Sequence, residues 1–404
     1  MCYNGTQLFD LEQDQLETFD LAGNEQFTPV IHALREELLQ YRDAWDDPEH
    51  HLGKEYWSKW TEYHSYSYII EANPWKSGGS KHMETKRGNQ RLEPGQIKQF
   101  ESLGYGMFIH FGMSTFLGIE CPGDGAPSNA YAPDRLDVGQ WISVARDAGM
   151  KYAVLTAKHV SGHALWPTRY SDYSVATSGN TKDVVGEFVY ECRRKGVMPG
   201  FYYCTWDTHN LFGSVVPPKV AWGQGYTTPE YREFMLHQLE ELLTGYGEIG
   251  EVWIDIPYLL PRDFRHRLYD QISVWQPQAL IVINCGVQDG SNFNVQNCWP
   301  TDVITLERFL PNDHKGYIPW KTIEGKEYYI PGETCTTIGE EWFWTDGDQP
   351  RKDALLLGNY LVARSRGCNF LLDVPPDNHG SIPQKWIDTL TRLNKNIEHI
   401  SYTL

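Results

Sequence analysis

The chain has 404 residues, of which 41% are hydrophobic, enough apolar side chain for a large buried core. Its formal net charge is −18, which argues against nucleic acid as a partner because the surface repels phosphate groups. No run of about 18 apolar residues occurs, so the sequence predicts no membrane span.

The first 94 residues differ in pattern from the rest of the chain. They contain the helical stretch FTPVIHALREELLQYRDAWDD and the polar, glycine-containing stretch KSGGSKHMETKRGNQRLEPG. We therefore predict a mostly helical N-terminal extension over residues 1–94, available for packing on the next domain or for contacts between subunits of an oligomer. The N-terminus lacks the basic region and the apolar stretch of an intact signal peptide.

Residues 95–404 alternate between short apolar runs and stretches of helical length. The runs, each a predicted strand, are YGMFIHFG, KYAVLTAKH, MPGFYYC, EVWIDI, ALIVINCG, DVITLE, EYYIPGE and NFLLDVPP. Amphipathic stretches such as TKDVVGEFVYECRRKG lie between them, and IPQKWIDTLTRLNKNIEHISYTL is predicted to be the closing helix. Eight such units predict an α/β fold, a parallel (β/α)8 TIM-like barrel over 95–404 with no C-terminal β-sandwich. The sixth and seventh units are the weakest, because their connections have little helical pattern.

Several helix boundaries are marked by their residue types. Thr228-Pro229-Glu230 supplies a cap, a first-turn proline and an acid at the positive end of the helix dipole. Gly196 and Gly367 stand where a helix ends on glycine. These signals mark the end of a helix before the third strand, the start of one between the third and fourth strands, and the end of one before the eighth.

The predicted strands end on polar side chains. One polar residue at a strand end commonly caps the next helix, but a polar residue at nearly every strand end predicts a pocket. Barrel active sites are built at the carboxyl ends of the strands, so this is the expected place. The residues are His110, Lys158 with His159, Tyr203, Asp255, Asn284, Glu307, Glu333 and Asp373.

Three of these residues, Asp255, Glu307 and Glu333, are carboxylic acids. Glycosidic cleavage needs two carboxyl groups, one ionised to attack or stabilise the anomeric carbon and one protonated to assist the leaving oxygen. Asp255 and Glu307 come from different strands, so the sequence does not give their separation. That separation is about 5 Å in a retaining pair and more than about 6 Å in an inverting pair. The alternative for Glu307 is a solvated acid in a loop.

Other chemistries lack their usual patterns. The 14 histidines form no HExxH, and His159 and His163, four apart, straddle a strand end and a glycine-containing turn rather than one helix. We therefore predict no metal and no cofactor. The absence of GxSxG argues against a serine hydrolase, and the absence of GxGxxG after the first strand argues against a dinucleotide site.

The strand-end motifs resemble those of the α-L-fucosidases of glycoside hydrolase family 29. The motifs are LGYGMFIHFGMSTF, KYAVLTAKHVSGHALWPTRYSDYSV, GEIGEVWIDI and NFLLDVPPDNHGSI, and the resemblance covers roughly residues 95–400. HFG-x-x-TF and PGETCTTI-x-x-x-W are closer to the branch that acts on α-1,3/1,4-linked fucose. The resemblance implies a retaining exo-glycosidase that releases terminal L-fucose from oligosaccharides or glycoconjugates by double displacement. Family members are commonly exported.

The resemblance also implies roles for individual residues. Asp255, in W-x-D, matches the nucleophile, and Glu307, in TLE, matches the acid/base. The residues matched to sugar binding are His110, Glu120, His159, Tyr203 (or its neighbour Tyr202, since only one of two adjacent strand residues points inward), Trp253, Glu333 and Trp342. The alternative for Glu333, the acid of the WE motif, is a structural role.

The chain departs from the family pattern at several sugar contacts. The family's KHHDGF reads Lys158-His159-Val160-Ser161-Gly162-His163, and its EW pair reads Glu120-Cys121. Asn284-Cys285-Gly286 stands where an arginine is expected, and Gly332-Glu333 stands for WE. Each lost contact to a sugar hydroxyl is worth about 1 kcal/mol. Two alternatives therefore stay open: a glycosidase for a related sugar such as α-L-galactose, and a catalytically weak carbohydrate-binding barrel.

Overall fold

The computed structural model describes residues 86–217, 219–220, 225–284, 286, 294–312 and 318–403, which belong to one compact unit. The predicted N-terminal helical extension lies outside these residues apart from 86–94. The strands are β1 Lys86–Arg87, β2 Tyr105–Ile109, β3 Tyr152–Lys158, β4 Met198–Cys204, β5 Glu251–Asp255, β6 Leu280–Ile283, β7 Ile304–Glu307, β8 Trp320–Ile323, β9 Lys326–Tyr329, β10 Gly332–Thr337 and β11 Asn369–Asp373. The helices are α1 Pro94–Leu103, α2 Met113–Leu117, α3 Val138–Asp147, α4 Val184–Lys195, α5 Pro229–Gly245, α6 Arg262–Trp275, α7 Val295–Cys298, α8 Asp353–Ser365 and α9 Gln384–Thr403.

Eight parallel strands form a barrel in chain order. β2 to β6 pair in succession, and β7, β10 and β11 continue the sheet back to β2. β6 and β7 are joined by one isolated parallel bridge, between Val282 and Val303, which closes the ring. The predicted (β/α)8 barrel is therefore confirmed.

The marked helix boundaries are also confirmed. The Thr228 side chain accepts a hydrogen bond from the Tyr231 backbone N–H at 3.2 Å, so it caps α5 as predicted. Gly196 adopts φ +71 at the end of α4, a conformation that costs other residues a steric clash. The closing helix is α9.

The seventh predicted strand is placed wrongly. The run EYYIPGE was expected to end a barrel strand at Glu333, but its first half is β9, which pairs antiparallel with β8. Pro331, which has no N–H to donate, separates β9 from the barrel strand β10. Glu333 is therefore the second residue of β10, and Thr337 is its last.

Helix α1 closes the amino-terminal end of the barrel. Ile97 and Phe100 are buried among side chains of the barrel interior, and the rings of Phe100 and Tyr152 are 5.3 Å apart. Side chains that face outward from the strands, such as Met107 and Leu155, pack in a second cluster with the surrounding helices. The cavity described next lies at the opposite end of the strands.

Candidate active site

A cavity of about 370 Å³, the size of a small-ligand pocket, opens where the barrel strands end. Its inner end narrows to about 40 Å³ between aromatic and polar side chains. Seven of the residues predicted for the site line it: His110, Glu120, His159, Trp253, Asp255, Glu307 and Trp342. The strand pleat explains this on β5, where Trp253 and Asp255 face inward while Val252 and Ile254 pack among the helices.

Asp255 and Glu307 are held at a defined separation by Asn284. Its Nδ2 atom donates to Asp255 Oδ1 at 2.7 Å and to Glu307 Oε2 at 3.1 Å. The two acceptor oxygens cannot lie farther apart than the sum of these distances, about 5.8 Å. At the ~120° angle between the two N–H bonds of an amide, the separation is about 5 Å. Retaining glycosidases use about 5–5.5 Å, and inverting ones need about 6.5 Å or more.

The Asp255 carboxylate receives hydrogen bonds from three groups. The Tyr202 hydroxyl donates to Oδ2 at 2.6 Å, and the Ile256 backbone N–H donates to Oδ1 at 2.8 Å. The Asn284 amide is the third donor. Three donors aimed at one carboxylate stabilise its negative charge, which a nucleophile needs.

Glu307 has the opposite environment. Burial raises the pKa of its carboxyl group, the negative charge of Asp255 raises it further, and the hydrogen bond from Asn284 opposes both. Glu307 therefore keeps its proton to a higher pH than an exposed glutamate does. An acid that keeps its proton to a higher pH, next to a carboxylate that accepts three hydrogen bonds, is the arrangement that general-acid catalysis requires.

His110 is oriented by a buried acid. Its Nδ1 atom lies 2.7 Å from Asp373 Oδ1, and the same oxygen accepts the His110 backbone N–H. Burial raises the pKa of Asp373 to about 6, partly offset by His110, so Asp373 is mostly ionised at pH 7. The ionised carboxylate fixes the proton of the ring on Nδ1 and leaves Nε2 for the cavity.

His159 reaches the cavity because β3 is irregular. The register between β3 and β4 shifts between Thr156 and Lys158, so Lys158 lies among outward-facing groups, 2.7 Å from Asp207, and His159 faces inward. Burial, and then the neighbouring His110, lower the pKa of His159 well below its usual value, so the ring is neutral. Within the described part of the chain its buried Nδ1 atom has no hydrogen-bond partner.

Aromatic rings form the apolar wall of the inner cavity. Phe108 packs edge-on against Trp253 at 5.1 Å between ring centroids, and Trp342 lies 5.0 Å from the His110 ring. Glu120 reaches the cavity from an exposed position on its rim. Flat apolar surface beside polar groups suits a sugar ring, which has both kinds of face.

Tyr203 was expected to bind the sugar, and the structure corrects this. Its hydroxyl donates to Gln238 of α5 at 2.8 Å, on the outer side of the barrel. Successive residues of a strand face opposite sides, so Tyr202, the alternative, faces inward and donates to Asp255. No pattern within the sequence Tyr202-Tyr203 distinguishes the two faces.

Glu333 also lies outside the cavity and needs correction. It is completely buried, accepts hydrogen bonds from Tyr152 and from the indole of Trp253, and does not line the pocket. Its place near the start of β10 puts it inside the barrel, below the strand ends. Its role is therefore to hold Trp253, which does line the cavity.

Asn284 is the main site residue to which sequence analysis gave no role. The sequence marks it as a polar strand end, but only the convergence of three strands places its amide between the two acids.

His163, considered as a metal ligand with His159, hydrogen-bonds instead to Ser178 at 2.8 Å. Among the described residues, no three His, Cys, Asp or Glu side chains are grouped to hold a metal ion. No helix in that part of the chain has the length and apolar character of a membrane span.

A (β/α)8 barrel with a carboxyl pair at this spacing has the fold and the site of the retaining glycoside hydrolases. The model of the alpha-L-fucosidase family matches residues 125–399. The chain therefore belongs to the α-L-fucosidase family.

Individual relatives agree with this assignment. Alpha-L-fucosidase 1 of Arabidopsis thaliana is 32% identical over 324 residues, which are 75% of this chain and 60% of that protein. The alpha-L-fucosidase of Dictyostelium discoideum is 24% identical over 76% of this chain and 70% of its own length. The structure of alpha-L-fucosidase isoenzyme 1 from Paenibacillus thiaminolyticus superposes with a TM-score of 0.61, at 26% identity and over 75% of each chain. The chain thus spans about 60% of the length of its plant relative.

Proposed function

We propose that this protein is a retaining exo-α-L-fucosidase that releases terminal L-fucose from oligosaccharides or glycoconjugates. The observation that carries the proposal is the pair Asp255 and Glu307, both hydrogen-bonded to one amide of Asn284 and so about 5 Å apart. Membership of the α-L-fucosidase family supports fucose as the sugar.

The reaction takes two displacement steps. Asp255 attacks the anomeric carbon while the bond to the leaving oxygen breaks, and Glu307 gives its proton to that oxygen. The product is a glycosyl ester on Asp255. Glu307, now ionised, takes a proton from water, which attacks the same carbon and releases the ester, so the anomeric configuration is retained.

The surrounding side chains suit a 6-deoxy sugar. His110 and His159 present ring nitrogens to hydroxyl groups, and the Trp342 face is matched by resemblance to the contact with the sugar methyl group. The hydroxyl that L-galactose carries on this carbon would lose a hydrogen bond to water against that ring, at a cost of about 1–3 kcal/mol. We therefore propose fucosides as better substrates than α-L-galactosides by about 10- to 100-fold. Within fucosides we propose α-1,3 and α-1,4 linkages, on the resemblance of the HFG-x-x-TF and PGETC motifs.

Sugar release is tested with 4-nitrophenyl α-L-fucoside, the matching α-L-galactoside and oligosaccharides carrying α-1,2-, α-1,3-, α-1,4- or α-1,6-linked fucose. The variants are Asp255→Ala and, as a control on an exposed acid of the same face, Glu341→Gln. We expect release by the wild type and the control, and a loss of at least about 10³-fold in Asp255→Ala. Sugar binding in both the wild type and Asp255→Ala without release by either would contradict the proposal and favour a binding barrel.

A second measurement identifies the nucleophile. A 2-fluoro-fucosyl fluoride slows the second step, so the sugar stays on the attacking residue and peptide mapping locates it. We expect the label on Asp255. A label on Glu307 or elsewhere would overturn the assignment of roles.

A further inference from the structure

The amide of Asn284 is held in one orientation. Both of its N–H groups are used, one on Asp255 Oδ1 and one on Glu307 Oε2, and its Oδ1 atom accepts the hydroxyl proton of Thr305. A rotated amide would turn its oxygen toward two acids and lose the hydrogen bond from Thr305. The donor side of the amide therefore faces the catalytic pair.

Contacts between the ends of β6 and β7 support this orientation. The Gly286 backbone N–H donates to Thr305 Oγ1 at 3.3 Å, and the Glu307 backbone N–H donates to the Gly286 carbonyl at 2.6 Å. Thr305 thus accepts one hydrogen bond from the backbone and donates one from its hydroxyl to Asn284 Oδ1. A chain of hydrogen bonds that runs through Gly286, Thr305 and Asn284 thus links the backbone beyond the end of β6 to both acids.

The two oxygens of Glu307 are therefore not equivalent. Within the described part of the chain, the hydrogen bond to its carboxyl group comes from Asn284 and reaches Oε2. A proton on Oε2 would lie against the amide hydrogen, whereas Oε1 has no hydrogen-bond donor among the described residues. The acid proton belongs on Oε1.

We infer that Asn284 is a positioning residue that sets the separation of Asp255 and Glu307 and selects Oε1 of Glu307 as the atom that delivers the proton. Thr305 acts through Asn284 by fixing the amide. The inference rests on the proposed function, because it assigns a task within the same two-step reaction.

The effect of Asn284 is separable from that of the other groups near Glu307. Asp255 and Glu120 raise the pKa of Glu307 by their negative charge, and His110 lowers it. The Cys335 thiol also lies nearby. Removing the Asn284 amide leaves all four in place and removes the one hydrogen bond that stabilises the ionised form, so the pKa of Glu307 rises.

The test compares Asn284→Ala, Asn284→Asp, Thr305→Val and Thr305→Ser with the wild type across pH. Two substrates are used: 4-nitrophenyl α-L-fucoside, whose leaving group needs little protonation, and phenyl α-L-fucoside, whose leaving group needs more. We expect Asn284→Ala to lower kcat about 10²-fold on the phenyl fucoside and clearly less on the nitrophenyl fucoside. The alkaline limb of kcat/KM should move up by about one pH unit, and further in Asn284→Asp, which adds a third carboxyl group.

Thr305 supplies the matched controls. Thr305→Val keeps the shape but not the hydroxyl, so it should reproduce the effects of Asn284→Ala at smaller size. Thr305→Ser keeps the hydroxyl and should resemble the wild type. Equal losses on both substrates with an unmoved pH profile would reduce Asn284 to a structural residue and overturn the inference.

A measurement that needs no substrate, the NMR titration of Glu307, separates this inference from the proposed function. Glutamate labelled with ¹³C at the carboxyl carbon reports the titration of Glu307 by NMR, with Glu307→Gln identifying its signal. We expect that titration to move to higher pH in Asn284→Ala and Thr305→Val, whether or not fucose proves to be the sugar. A titration unchanged in both variants would overturn the inference, and an inactive wild type would overturn only the proposed function.

Discussion

The indole N–H of Trp253 donates to the Glu333 carboxylate at 3.1 Å, so one wall of the cavity is supported by a completely buried acid. The hydroxyl of Tyr152 donates to the same carboxylate at 2.6 Å. A second buried acid, Glu251, interacts with Glu333. Burial raises the pKa of Glu251 well above its usual value and the pKa of Glu333 to about 7. The two acids therefore keep their protons to a higher pH than exposed glutamates do.

This buried pair predicts a pH dependence of stability. A carboxyl group with a raised pKa binds more protons when folded than when unfolded, so its contribution is complete below about pH 4.5 and is lost as the pH rises through about 7. Glu251→Gln places an amide donor where the protonated acid stands and should flatten this decline. Urea denaturation at pH 5, 6, 7 and 8 measures it, with Glu341→Gln as a surface control that should follow the wild type. A slope unaltered by Glu251→Gln would mean that Glu251 does not keep its proton to a higher pH in the folded protein.

The adjacent tyrosines of β4 allow a matched comparison. Tyr202→Phe removes a donor from Asp255 and should lower kcat about 10- to 100-fold, the value of a hydrogen bond to a charged group. Tyr203→Phe removes the same hydroxyl from the outer face and should leave kcat within about twofold while costing about 1 kcal/mol of stability. Steady-state kinetics and urea denaturation distinguish the two outcomes. A larger kinetic loss in Tyr203→Phe would reverse the assignment of faces.

The roles of the two acids predict the configuration of rescue products. In Asp255→Ala, azide can occupy the space of the missing nucleophile, so an activated α-L-fucoside should give the β-azide. In Glu307→Ala, the glycosyl ester still forms and azide attacks it from the other face, giving the α-azide. The ¹H NMR coupling of the anomeric proton identifies each product. The same anomer from both variants would contradict the two-step scheme.

Gly286 should be intolerant of any side chain. A Cβ atom there would lie 2.6 Å from Glu307 Oε2 and 2.9 Å from Asn284 Oδ1, at φ +43. Gly286→Ala should therefore lower kcat by about 10²-fold, because these oxygens of Glu307 and Asn284 must move. Gly196→Ala carries the same kind of backbone strain at φ +71 with no atom within 4 Å, so it should cost about 1 kcal/mol of stability and no activity. Equal kinetic effects of the two changes would remove the steric explanation.

The eight-unit barrel could be predicted because the hydrophobic pattern and the helix boundary residues indicated the same elements. Apolar runs alternate with amphipathic stretches along the chain. Thr228 marks the start of a helix, where its side chain accepts a backbone N–H, and Gly196 marks the end of another, where its backbone N–H donates to helix carbonyls. The seventh unit failed because EYYIPGE is apolar enough for either a barrel strand or an external hairpin. The run pairs with β8 across the two-residue turn Glu324-Gly325, and this pairing makes its first half part of an external hairpin.

The candidate site was predictable as a set of strand ends, but not as a geometry. His110, Asp255 and Glu307 could be located because a strand end fixes a side chain near one face of the barrel. Which of Tyr202 and Tyr203 faces inward could not be predicted, because the partner of the outward hydroxyl, Gln238, belongs to a neighbouring helix. His159 reached the cavity through a register shift in β3 that its sequence does not mark.

The joint between β6 and β7 passes between Asp255 and Glu307. Asp255 ends β5, Glu307 ends β7, and the two strands nearest the joint share one isolated bridge, at Val282 and Val303. Every other pair of neighbouring strands in the described barrel is joined by four or more residue pairs, so this joint has the least backbone pairing of the wall. A distance that spans this joint therefore depends on the hydrogen bonds that cross it. The separation of Asp255 and Glu307 is thus set locally, by the Asn284 amide and by the bonds between Gly286 and the end of β7, while the rest of the barrel serves as their frame.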